Sequence, residues 1–241
     1  MPSRAMSSRA RPSRARPKRR PAPRFALLGV VVFLFVAHDA PARTLVAGRL
    51  PAETTMAAAA RDARLSSWTA ALHPIEVTDA NTREHARIDL YDREGDIDDD
   101  ARATFERVAA REPEPHRLAA RVEQLVFKAA YHFGATRVVI VSGWREHAGK
   151  HTAGEAIDFK LAGVPAGQLA AFLRGLPRVG VGVYTHPATQ FVHVDVRDTS
   201  YHWVDASPPG VRWKERPIGD RSARKRDASY TPEADLPVER R

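Results

Sequence analysis

Cysteine is absent from the 241 residues, which excludes disulfides and thiolate metal ligands and leaves His, Asp and Glu as the only strong metal-binding side chains. Long apolar runs are also missing. The longest, Phe25 to Ala37 (FALLGVVVFLFVA), is shorter than the roughly 20 residues that a membrane-spanning helix needs. Charge of one sign is lacking where it would matter. The chain carries a formal +9, but ten of its 38 Lys and Arg lie in residues 1–43 beside the single acid Asp39. The remaining 28 basic residues face 28 acids. A balanced body removes the electrostatic argument for a nucleic-acid partner.

What is present is an ordinary globular composition, 43% hydrophobic and 28% charged, in a length that suits one catalytic core with a segment at each end. Residues 1–43 combine a basic stretch, the apolar run and the small residues Ala40-Pro41-Ala42, the pattern of a signal peptide or, if uncleaved, of an N-terminal membrane anchor. Export to the periplasm or cell envelope is the expectation. Residues 44–84 read as a linker and N-terminal extension with an early strand.

Arg87 to Tyr91 alternates at period two, and the acids Asp96 to Asp100 supply a cap for a helix reaching about Ala110. After Pro113 and Pro115, Leu118, Val122, Leu125, Val126, Ala129 and Phe133 recur at helical spacing, closed by Gly134. Arg137 to Val141 predicts a buried strand ending in the turn Ser142-Gly143-Trp144-Arg145. A second amphipathic helix spans Pro165 to Leu176, and Val179 to Tyr184 with Phe191 to Val196 predicts a hairpin. The charged, Pro-interrupted segment 214–241 reads as a disordered tail.

Two segments carry chemistry. In Ala156-Ile157-Asp158-Phe159, alternation sends Ile157 and Phe159 to the core and Asp158 to the opposite face; in Phe191-Val-His193-Val-Asp195-Val, it does the same for His193 and Asp195. Polar groups in so buried a context need compensation. A zinc ion on His151, Asp158 and His193 would supply it and leave a fourth position open, the pattern of a catalytic site. His147, in the same loop as His151, reads first as an ordinary polar residue, with an alternative ligand or a substrate contact as the second reading.

Ser142-Gly143-Trp144-Arg145, His151-x-x-Gly154-x-Ala156-x-Asp158, and His193-x-Asp195 after Gly180-Val-Gly182-Val-Tyr184 together resemble the LAS superfamily of zinc peptidases, which contains D-Ala-D-Ala carboxypeptidases and hedgehog-like domains. The similarity is greatest to its YcbK-like murein endopeptidase branch and covers residues 85–213. The resemblance implies an α+β fold with an antiparallel sheet flanked by helices, zinc on His151, Asp158 and His193, and Arg145 in contact with substrate. Many relatives carry an acid three residues before the last zinc His, where this chain has Gln190. That departure leaves Asp195 as candidate base or as a residue that orients a ligand.

The implied activity is zinc-dependent hydrolysis of peptide cross-links in peptidoglycan. A carboxypeptidase trimming terminal D-Ala and a non-catalytic wall-peptide-binding domain are the alternatives, the latter kept open by Gln190.

Overall fold

Eight short strands in one sheet dominate the computed structural model, which describes residues 68–110, 116–147, 149–211 and 214–237, together with Met56. The expected signal or anchor and most of the expected linker lie outside these residues. The strands are β1 (Ile75–Asp79), β2 (His85–Ile88), β3 (Arg137–Ser142), β4 (Ala156–Leu161), β5 (Val179–Tyr184), β6 (Phe191–Val196), β7 (Tyr201–Asp205) and β8 (Arg216–Ile218). Their order across the sheet is β2-β1-β3-β4-β6-β5-β7-β8.

The sheet is mixed, which corrects the expectation of an antiparallel one. β1 runs parallel to β3 and β5 parallel to β7, while the other neighbours are antiparallel. Each parallel pair arises because one antiparallel strand intervenes in sequence and lies on the opposite side of the first member, β2 on the far side of β1 and β6 on the far side of β5, so two reversals restore the original direction. The α+β class itself stands.

Helix α1 (Asp99–Ala109) starts where the acids foretold it, with the Asp98 carboxylate accepting the Ala101 amide and Asp99 and Asp100 in the first turn. It covers β1 and β2. Helices α2 (Ala120–His132) and α3 (Ala166–Arg174) cover the middle of the sheet, α2 over β3, β4 and β6 and α3 over β4, β5 and β6. No helix among the described residues is long and apolar enough to cross a membrane.

The helices bury one face of the sheet. Val77, Val138, Ile140, Ile157, Phe159, Val181, Val192 and Val194 point into a core completed by Phe105, Leu125, Phe127, Leu169 and Leu173. Burying each such side chain contributes about 1.5–3 kcal/mol, which fixes the register: a slip of one residue would turn every valine outward. The alternate residues of β4, β5 and β6 are thereby forced onto the other face.

The sheet begins at Ile75, with β1 in the stretch 44–84 for which an early strand is expected, and Trp68 packs edge-on against Tyr91 with ring centroids 5.2 Å apart. The expected disordered tail is folded over residues 214–237: β8 pairs with β7, followed by helix α4 (Ala223–Ala228) and a 3-10 turn at Pro232–Asp235. Its order comes from polar anchoring rather than apolar patterning. Asp227 accepts from the amides of Arg178 and Ser200, and Asp235 accepts from Arg121 at 2.8 Å and from the Tyr230 hydroxyl at 2.7 Å. Such long-range partners are invisible to a composition argument.

Candidate metal centre

β4 and β6 are antiparallel neighbours, and their register sets Asp158 directly opposite His193 and Ala156 opposite Asp195. His151 arrives from the turn before β4. That turn is held by Gly154, whose φ of +71° is costly for any side chain and whose Cβ would lie 2.3 Å from the Arg117 carbonyl oxygen. Trp144 fastens the other side of the loop, donating its indole N–H to Thr152 O at 2.9 Å and stacking on His116 at 3.5 Å.

Three atoms converge. His193 Nδ1 lies 2.8 Å from Asp158 Oδ1, His151 Nε2 lies 3.2 Å from His193 Nδ1, and His151 Nε2 lies 3.4 Å from Asp158 Oδ1. All three residues are buried. They are the one group of three or more metal-competent side chains among the described residues.

The outward ring nitrogens are committed elsewhere. His151 Nδ1 donates to Gly143 O at 2.6 Å, and His193 Nε2 donates to Asp195 Oδ2 at 3.1 Å. These bonds orient both imidazoles with the remaining nitrogen toward Asp158, the arrangement that metal-binding histidines use. Asp195 is in turn gripped by Arg197, whose Nε donates to Oδ1 at 2.6 Å and whose Nη2 donates to Oδ2. Arg145 Nη2 stands 3.3 Å from Asp158 Oδ2.

Burial alone would raise the carboxyl pKa of Asp158, but hydrogen bonds from His151 and His193 hold it well below the usual range. Burial likewise opposes ionisation of Asp195, and the bonds from His193 and Arg197 win, lowering it. For His193, burial favours the neutral ring, yet Asp158 and Asp195 together raise its pKa to about 9. The face is a concentrated acid–imidazole cluster of the kind that a cation would organise.

A cavity of about 300 Å³ opens beside the cluster, lined by His151, His193, Asp195, Arg145, Lys150, Arg197, Tyr184, Tyr201, Trp203 and Glu215. β5 makes room for it. A Cβ on Gly182 would lie 2.4 Å from the Trp203 ring, and one on Gly180 would lie 2.1 Å from the Asp195 carboxylate. The alternation Val-Gly-Val-Gly-Val therefore packs valines against the core and leaves the other face clear for the site.

The structure places His151, Asp158, His193, Asp195 and Arg145 in one cluster. His147 does not join them; its side chain is 90% exposed and contacts Glu146. Gln190 is exposed too and does not line the cavity. Arg197, Trp203 and Glu215 went unnoticed in the sequence. The position of Arg197, two residues after Asp195, was the one available signal.

The family described as peptidoglycan L,D-endopeptidase MepK matches residues 68–203. The chain belongs to this family. The match starts at Trp68, where the described fold starts, and spans every residue of the cluster. No curated protein and no solved structure matches the chain. As a member of the MepK family the protein is a peptidoglycan endopeptidase, a hydrolase whose substrate is the cell-wall peptide, and family membership assigns it an extracytoplasmic site of action.

Proposed function

We propose that the protein cuts peptidoglycan cross-links with a zinc ion held by His151 Nε2, Asp158 Oδ1 and His193 Nδ1, acting in the periplasm. The carrying observation is the triangle of these atoms, with sides of 2.8, 3.2 and 3.4 Å. A tetrahedral ion with bonds of about 2.1 Å sets its ligand atoms about 3.4 Å apart, so the donors need only small adjustments. The two-histidine, one-carboxylate set without cysteine also suits zinc, and three protein ligands leave a position open for chemistry. The hedgehog-like arrangement implied by the sequence motifs fits this set.

When bound, the ion supplies Lewis acidity, polarising water and the scissile carbonyl. The chain's own residues do the rest. Gly143 and Asp195 hold the ring orientations of His151 and His193. Arg145, on the cavity wall and next to Asp158, offers a planar fork of N–H donors to the carbonyl oxygen as it gains negative charge, or to a carboxylate of the wall peptide. Asp195, which accepts three hydrogen bonds from His193 and Arg197 and is completely buried, serves as a positioning residue rather than as the proton acceptor.

The test is to incubate the purified protein with peptidoglycan, with and without a chelator, and identify the products by mass. Cross-linked fragments should fall to monomers only when metal is present, and His193→Ala should lose both metal and activity. Undiminished cleavage after chelation, or release of free D-Ala with cross-links intact, would overturn the proposal.

A further inference from the structure

With Asp158 facing the cluster and Asp195 locked between His193 and Arg197, the cavity needs another group to move protons during hydrolysis. Glu155, close by in sequence, is paired with Lys150, and His147 points to solvent. The lining contains one further carboxylate, Glu215.

Glu215 immediately precedes β8, whose Arg216 and Pro217 pair with Val204 and Trp203 of β7. This antiparallel pairing carries the start of the C-terminal segment to the mouth of the site, beyond the last residue matched by the family. Among the described residues Glu215 takes part in no hydrogen bond or ion pair, and it is exposed. It is near enough to Tyr184, on the same wall, for its charge to push the phenol pKa further up, after burial and Asp158. The cavity otherwise presents cations, Arg145, Lys150 and Arg197, alongside Tyr201. A carboxylate with no protein partner, on a wall it shares with Arg145 and Arg197, has the hydrogen-bonding freedom that a proton acceptor requires, whereas the buried Asp195 already accepts three hydrogen bonds from His193 and Arg197.

We infer that Glu215 is the catalytic proton shuttle of the cleft, supplied by the C-terminal segment. The inference rests on the proposed metal centre. In the first step the water oxygen bonds to the peptide carbonyl carbon while one water proton passes to the Glu215 carboxylate. In the second, the carbon–nitrogen bond breaks, its electron pair stays on nitrogen, and Glu215 returns the proton to that nitrogen. The products are a carboxylic acid, which keeps the second water proton until it ionises, and a free amine.

The experiment compares Glu215→Gln and Glu215→Asp with wild type in the full chain, using a soluble cross-linked muropeptide for turnover, elemental analysis for zinc, and co-sedimentation of the metal-free protein with sacculi for binding. Glu215→Gln should lower kcat by about 10²- to 10⁴-fold, the usual worth of general acid–base catalysis, with KM, zinc content and sacculus binding unchanged. Glu215→Asp should recover part of the rate. Wild-type kcat in Glu215→Gln, or a loss confined to KM and sacculus binding, would overturn the assignment. Failure of the metal centre reads out separately, as chelator-resistant turnover by the wild type, and removes the chemistry that Glu215 is assigned to serve.

Discussion

The Asp195 carboxylate and the His193 imidazole are joined through Nε2 and Oδ2 at 3.1 Å, two residues apart on one face of β6. Because a ring that donates through Nε2 keeps Nδ1 free for a cation, this contact ties a buried acid to metal affinity. Asp195→Asn should weaken zinc binding by about 10- to 100-fold, with activity regained at excess metal. Titration with a chromophoric chelator measures it. Unchanged affinity with a permanently depressed rate would instead make Asp195 a participant in proton transfer.

Loading the metal-free protein should release a proton from His193. Burial works against protonation of this ring, but Asp158 and Asp195 raise its pKa to about 9, so at neutral pH Nδ1 carries a proton that a cation must expel. Asp158, held well below the usual range, contributes none. Apparent affinity should therefore rise about tenfold per pH unit up to pH 9 and then flatten. Calorimetry in buffers of different ionisation enthalpy counts the protons; none released at pH 7 would mean that Nδ1 is not a ligand atom.

Gly182→Ala is expected to disturb the site from behind. The new methyl would stand 2.4 Å from the Trp203 ring, whose centroid is 5.2 Å from that of His193, so the indole must shift. Overpacking of this kind costs about 1–3 kcal/mol. Denaturant unfolding and tryptophan fluorescence together detect it, and an unaltered midpoint would show that the ring has room to move.

The C-terminal segment should behave as part of the fold. Asp235, 1% exposed, joins Arg121 and Tyr230, and removing it leaves the half-buried Arg121 guanidinium with only the Pro177 and Arg178 carbonyls as acceptors. Asp235→Ala should destabilise by about 1.5–3 kcal/mol, the worth of hydrogen bonds to a charged group, and make the segment after Ser207 sensitive to limited proteolysis, which the wild type resists. Equal cleavage of both proteins would mean that the ion pair contributes little to holding the segment.

Much of the site was legible because strand alternation is a local property. The valines and the phenylalanine of Ile157-Asp158-Phe159 and Val192-His193-Val194-Asp195 had to face the core, and period two then fixed where Asp158, His193 and Asp195 would point. The cap at Asp98 and the helix over Ala120–His132 followed from equally local signals.

Sequence by itself determined that any metal donors had to be His and carboxylate, that the body is electrically balanced, and which side chains leave the core. Tertiary structure alone decided the rest. Strand order set Asp158 against His193, a distance of 35 residues along the chain, and thereby closed the triangle of donors. It also fixed Asp195 between His193 and Arg197, three bonds that alternation permits but does not require. Finally it folded residues 214–237, which lack any apolar period, because Arg121, Arg178 and Ser200 offer partners to Asp227 and Asp235 that only a completed sheet brings within reach.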